Sequence, residues 1–175
     1  FHGGPDAPNV DGDVIFEKNS YLSNLAYGSF ANEYLSVLPG KNDLTLRVAG
    51  TQTEVETYRV DLTALKGKGV TILASGFLGG APDFGLFAVA PDGSFTQLTA
   101  TPFARWQVVH NSPNPTVDVY AGNVRLLDNF AFRTATPFLD VPADRTFNVA
   151  VAAGNSTSVA DALATFPVGF QTGKT

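Results

Sequence analysis

His2 and His110 are the only histidines in the chain. Imidazole titrates near neutral pH and ligates metals, so the pair invites an acid–base or metal reading. Each stands before a proline-containing turn, at Pro5 and at Pro113. A side chain in that position commonly bonds the nearby backbone. The pair therefore reads first as one structural corner present twice, in separate domains. A second group is the oxygen-rich run Asp6, Asn9, Asp11 and Asp13, the residue types that hard cations take as ligands. Its spacing departs from the Asp-x-Asp-x-Asp-Gly pattern of calcium loops, and Asp and Asn are also ordinary turn formers. Asp6, Asp11 and Asp13 are the candidate metal ligands; calcium is the one cation they suggest, and no other cofactor is expected.

Other motifs fail on spacing. Gly169-Phe170-Gln171-Thr172-Gly173-Lys174-Thr175 imitates a phosphate-binding loop, but three residues separate its glycines where four are needed. Gly67-Lys68-Gly69 is no dinucleotide fingerprint, because Ile72 stands where the third glycine belongs. No Gly-x-Ser-x-Gly elbow occurs, and nothing favours a particular pair of carboxylates for glycoside hydrolysis. No catalytic residue is named, and an enzyme is not expected.

The segments between these residues must position them. Seventeen Gly and eleven Pro separate short runs rich in β-branched and aromatic residues, among them Leu44–Val48, Val70–Ala74, Val117–Tyr120 and Phe147–Val151. Several alternate apolar with polar, the period of a half-buried strand, so the chain reads as all-β. Pro91-Asp92-Gly93 sets a hairpin over residues 84–98. Only Asp61–Leu65 and Ser158–Ala164 suggest helix, each a short turn. Phe138, Phe147, Phe132 and Trp106 fall at strand positions where burial is the default; Tyr21, Tyr27 and Tyr120 are left open, and an exposed aromatic row could bind sugars or protein. Asn155-Ser156-Thr157 has the form of a glycosylation sequon and reads here as a turn.

Composition narrows the function classes. In 175 residues, 44% are hydrophobic and 15% charged, which suits packed cores rather than disorder. Eleven Lys and Arg against sixteen Asp and Glu give a net charge of −5, so nucleic acid is not an expected partner. Cysteine is absent, which removes thiol chemistry, disulfides and cysteine-held metal. No apolar run is long enough for a membrane-spanning helix. Methionine is also absent and the chain opens on Phe1, which suggests a processed product or fragment whose export signal has been removed.

The sequence also repeats itself. His2-Gly3-Gly4-Pro5-Asp6-Ala7-Pro8-Asn9-Val10-Asp11 returns as His110-Asn111-Ser112-Pro113-Asn114-Pro115-Thr116-Val117-Asp118. Leu22–Tyr27 returns as Leu127–Phe132, Tyr34–Pro39 as Phe138–Pro142, and Leu44–Val48 as Phe147–Val151. The equivalent structural residues are thus His2, Pro5, Asp11 and Asn24 in one copy and His110, Pro113, Asp118 and Asn129 in the other. A repeat of this size fits an immunoglobulin-like sandwich, giving two tandem antiparallel β-sandwich domains. Residues 1–100 form the first, with its C-terminal hairpin, and residues 101–175 the second. Arg105–Val109 leads into the second copy with only Phe1 ahead of the first, so the first should lack its opening strand. Val70–Ala74 has no counterpart at the end of the second, which should lack its last strand. Asp11-Gly12-Asp13 departs from Asp118-Val119-Tyr120, so loop lengths should differ there.

The pattern of His-x-x-Pro, Val-Asp, Asn-(Leu/Phe)-Ala-(Tyr/Phe), aromatic-Leu-x-Val and an alternating strand, carried twice over most of the chain, resembles the bacterial domain of unknown function 4397 (DUF4397). The hairpin between the copies looks like one that follows such domains in secreted Bacteroidetes proteins. The resemblance implies extracytoplasmic β-sandwich modules, often in surface proteins exported by the type IX route, with no established catalytic residues. The expected function is a non-enzymatic structural or adhesive element, extracellular or at the bacterial cell surface, with other surface or extracellular proteins as partners. Two alternatives accompany it: a filament subunit assembled by strand complementation with copies of itself, and a carbohydrate- or calcium-binding module of a larger secreted protein.

Overall fold

A computed structural model describes residues 1–18 and 20–172. The chain is all-β, with several antiparallel sheets, and divides into two compact units. The first comprises Phe1–Ile15 and Asn19–Thr101; the second comprises Phe16–Lys18 and Pro102–Thr175.

The first unit holds β1 (His2–Gly3), β2 (Val10–Val14), β3 (Ser20–Leu25), β4 (Lys41–Val48), β5 (Glu54–Asp61), β6 (Thr71–Ser75), β7 (Gly85–Val89), β8 (Phe95–Gln97) and β9 (Thr99–Ala100). One sheet runs β3-β2-β4-β5-β9 and the other β1-β6-β7-β8. β1 lies parallel to β6, with His2 opposite Ala74; the remaining pairs are antiparallel. Alternation along β2 turns Val10, Gly12 and Val14 inward and Asp11 and Asp13 outward. The core joins both sheets: Leu46, Tyr58 and Val60 pack with Ala74, Leu86 and Leu98. At Pro91-Asp92-Gly93 the chain reverses between β7 and β8, with Gly93 at φ +83° and Asp92 accepting the Ser94 N–H. The expected turn at Asp61–Leu65 is a 3-10 turn at Thr63–Leu65.

The second unit holds β10 (Phe103–Trp106), β11 (Val109–His110), β12 (Val117–Ala121), β13 (Val124–Phe130), β14 (Thr134–Ala135), β15 (Leu139–Pro142), β16 (Arg145–Ala153) and β17 (Ala162–Phe170). A four-stranded sheet runs β13-β12-β16-β17, with the pairs β10–β15 and β11–β14 beside it. Its core gathers Val117, Val119, Val141, Phe147 and Val149, with Trp106, Phe170 and Phe16 packed against them. All of β12 is buried, because the segment after β16, which makes a 3-10 turn at Val159–Asp161, helps cover the other face of this strand over Tyr120, Ala150 and Ala152.

Strand placement corrects two of the aromatic expectations. Phe147 is buried and Trp106 packs on Phe147 and Phe170, but Phe138 is 57% and Phe132 37% exposed. Their faces are covered instead by guanidinium groups, Arg105 at 5.4 Å over Phe138 and Arg133 at 5.0 Å over Phe132, a surface use of an aromatic that strand position alone does not reveal. Of the tyrosines left open, Tyr120 is buried, Tyr21 half-buried and Tyr27 exposed.

Candidate functional site

Both histidines close the same knot. In the first unit the His2 Nε2 pairs with the Pro8 carbonyl at 2.9 Å, and the Gly4 N–H donates to Nδ1 at 3.3 Å. In the second, the His110 Nε2 pairs with the Pro115 carbonyl at 3.1 Å, and the Ser112 N–H donates to Nδ1 at 3.2 Å. Because Nδ1 accepts in each, Nε2 carries the proton and donates; this tautomer follows from the hydrogen-bond network. Both rings are buried. The loops they tie contain Pro5 and Pro113. The backbone agrees: the Gly28 N–H donates to the His2 carbonyl at 2.7 Å and the Arg133 N–H to the His110 carbonyl at 2.8 Å.

The repeated aspartates behave alike. Asp11 accepts the Asn24 N–H at 2.7 Å, and Asp118 accepts the Asn129 N–H at 2.8 Å. Asn24 and Asn129 both sit in the left-handed region, at φ +52° and +50°, where Asn is better tolerated than most residues. The carboxylate fixes a bulge at which each strand pair shifts register. Asp11 also takes the Gly50 N–H at 2.8 Å. These two backbone bonds, Asn24 first, hold its carboxyl below the ordinary value.

The candidate metal ligands do not converge. Asp6 accepts the Leu78 and Gly79 N–H groups at 2.9 and 3.0 Å, which lower its pKa in that order. Asp13 pairs with the Arg47 guanidinium. Among the described residues, no group of three or more His, Asp or Glu is placed to hold a metal ion. The phosphate-loop imitation ends at residues 173–175, which lie outside the described residues. The departure at Asp11-Gly12-Asp13 leaves β2 and β12 equally long, at five residues each; what differs is the next connection, 15–19 between β2 and β3 against 122–123 between β12 and β13.

Two features carry no mark in the sequence. One is a buried cluster in the second unit: the Ser156 hydroxyl donates to Asp118 at 2.5 Å and meets the Tyr120 hydroxyl at 2.8 Å, while Arg125 reaches Asp118 at 3.3 Å. Burial raises the Asp118 pKa, but the Ser156 hydroxyl, the Asn129 N–H and Arg125 together outweigh it and the net direction is down. Ser156 thus closes a polar network, while Asn155 beside it is exposed. Only long-range pairing brings Ser156 there.

The other is a cavity of about 860 Å³ in the first unit. Val10, Val14, Leu44, Leu46, Val60 and Ile72 are among the residues lining it. Residues 34–37 and 65–68 also border it, and it lies within the size range of ligand sites. Its lining also includes Glu33, Lys66 and Lys68 among mostly apolar side chains. What the arrangement can do is receive apolar groups.

No curated protein and no solved structure matches the chain. Residues 104–174 match the family model described as Domain of unknown function (DUF4397).

Proposed function

We propose that the chain is a non-catalytic, exported protein built of two immunoglobulin-like β-sandwich modules in tandem, serving a structural or adhesive role outside the cell or at its surface. One observation carries this reading: the polar residues shared by the two units, His2 with His110 and Asp11 with Asp118, are engaged by neighbouring backbone groups. A residue kept for chemistry would present a lone pair or proton to a cleft; these present theirs to the loops and bulges that shape each unit. The similarity of residues 104–174 to DUF4397 adds the extracytoplasmic setting and the type IX route as parts of the proposal. Its partners are then other surface or extracellular proteins.

Protease shaving of intact source cells tests the location: the protein should be cleaved without lysis, and protection until lysis would contradict it. Assay against glycan and peptide panels tests the chemistry. Turnover that one point substitution abolishes, with the fold retained, would contradict the non-catalytic reading.

A further inference from the structure

We propose that the outward face of β6, β7 and β8 in the first unit binds a neutral oligosaccharide, one sugar ring lying on Phe95 and its hydroxyls reaching Gln97 and the hydroxyl side chains beside it. Strand alternation sorts the side chains of these strands onto two faces. Ala74 and Leu86 are buried in the core, with Ile72 and Ala88 packed against it, so Thr71, Leu73 and Ser75 on β6 and Gly85, Phe87 and Val89 on β7 face outward. On β8, Phe95 stands opposite Val89 and Gln97 opposite Phe87, which puts both on the same face. A solvated sheet face is ordinarily polar; this one carries a pair of phenylalanines. Their rings stack, 5.0 Å between centroids and 19° between planes, with Phe87 half-buried and Phe95 60% exposed. Phe87 lies against one side of the Phe95 ring, leaving the other side for a ligand. Gly85 keeps the surface low beside them, since a Cβ there would lie 3.2 Å from the Gln97 Nε2 and 3.6 Å from the Phe87 ring. Gln97, Thr71 and Ser75 are exposed around this pair.

Charge and size select the occupant. None of these outward residues is ionisable, although the chain carries a net charge of −5. The face offers no partner to a charged ligand, and the field of the whole chain disfavours an acidic one. Three strands roughly 4.8 Å apart, with a rise of roughly 3.4 Å per residue, make a patch on the order of 100 Å². Each partner in a stable protein complex covers about 800 Å², so a second copy of the chain would have to extend far beyond this face. A saccharide fits within it. Axial C–H bonds give a sugar ring an apolar side that packs on an aromatic ring, and a few flanking polar groups then fix its orientation. The Gln97 amide and the Thr71 and Ser75 hydroxyls each donate and accept, as sugar hydroxyls do. This inference does not rest on the non-catalytic reading, and each can fail alone.

The test titrates the full chain with cellohexaose, a neutral β-linked glucose hexamer, followed by ¹⁵N–¹H amide shifts. Saturable binding is expected, with the shifts centred on residues 71–75, 85–89 and 95–97. Phe95→Ala should weaken binding at least about tenfold and Gln97→Ala about threefold, with circular dichroism unchanged. Phe95→Tyr, which keeps the ring, should bind as the parent does. Phe138→Ala, which removes an exposed aromatic of the second unit, should leave binding unaltered. The same hexamer oxidised to a carboxylate at every C6 should bind more weakly at low salt. No binding up to about 5 mM, equal binding by Phe95→Ala, equal loss in Phe138→Ala, or shifts confined to other strands would overturn the site. An oxidised hexamer that binds as well would overturn the preference for a neutral ligand. Sedimentation supplies a further check: dimerisation that Phe95→Ala abolishes and cellohexaose leaves intact would assign the face to a second copy and overturn the saccharide.

Discussion

His110 is held by two bonds that truncation removes together. His110→Ala leaves the Ser112 N–H and the Pro115 carbonyl without their partner, a cost of about 1–3 kcal/mol. Trp106, the only tryptophan, lies in the second unit and reports its urea unfolding by fluorescence; an unchanged midpoint would contradict the structural role. The aspartates make a pH prediction. Asp6, Asp11 and Asp118 have carboxyl pKa values lowered by folding, so the folded state binds protons less readily than the unfolded chain. Their stabilisation is complete above the unfolded value of about 3.9 and disappears as pH falls through the folded values. The urea midpoint should be level near neutrality and decline below about pH 4; a midpoint that rises on acidification would contradict these assignments. At this scale the sequence is informative but incomplete. His2 and His110 are recognisable as corners because they recur beside prolines. Ser156 is not recognisable as the partner of Asp118, since the two lie 38 residues apart and meet only once the strands have paired.

Among the elements, turns that need a positive φ are the most legible. Gly93 in Pro91-Asp92-Gly93 meets that demand, and the hairpin of β7 and β8 follows. Gly76 is a stricter case. It stands at φ +93°, and a Cβ there would lie 2.3 Å from the Asp83 carbonyl oxygen. Gly76→Ala should therefore destabilise the first unit by more than about 1–3 kcal/mol. Gly50→Ala, at φ +73° with nothing within 4 Å, should cost only about 1 kcal/mol. Comparing the two in urea with circular dichroism checks this, and equal losses would contradict the close approach at Gly76. Strand periodicity places Phe147 in the core correctly. It misplaces Phe138, because that residue precedes β15 and its ring lies under Arg105. Periodicity describes which side a residue takes, not what comes to cover it.

At the scale of the molecule, the internal repeat is the strongest signal in the sequence. The two copies differ in one respect that no single residue reveals: β10 pairs with β15 in the second unit, while among the described residues no strand pairs with Tyr34–Pro39, which borders a cavity in the first. On the proposed reading, the recurring polar residues maintain each unit's own shape. With two histidines in the chain, a ¹⁵N–¹H spectrum correlating ring nitrogens with carbon-bound protons tests it directly. Both rings should show the tautomer protonated at Nε2, unchanged on adding calcium, zinc or glycans. Displacement of an Nε2 resonance by any of these ligands, or a ring protonated at Nδ1 instead, would contradict the claim.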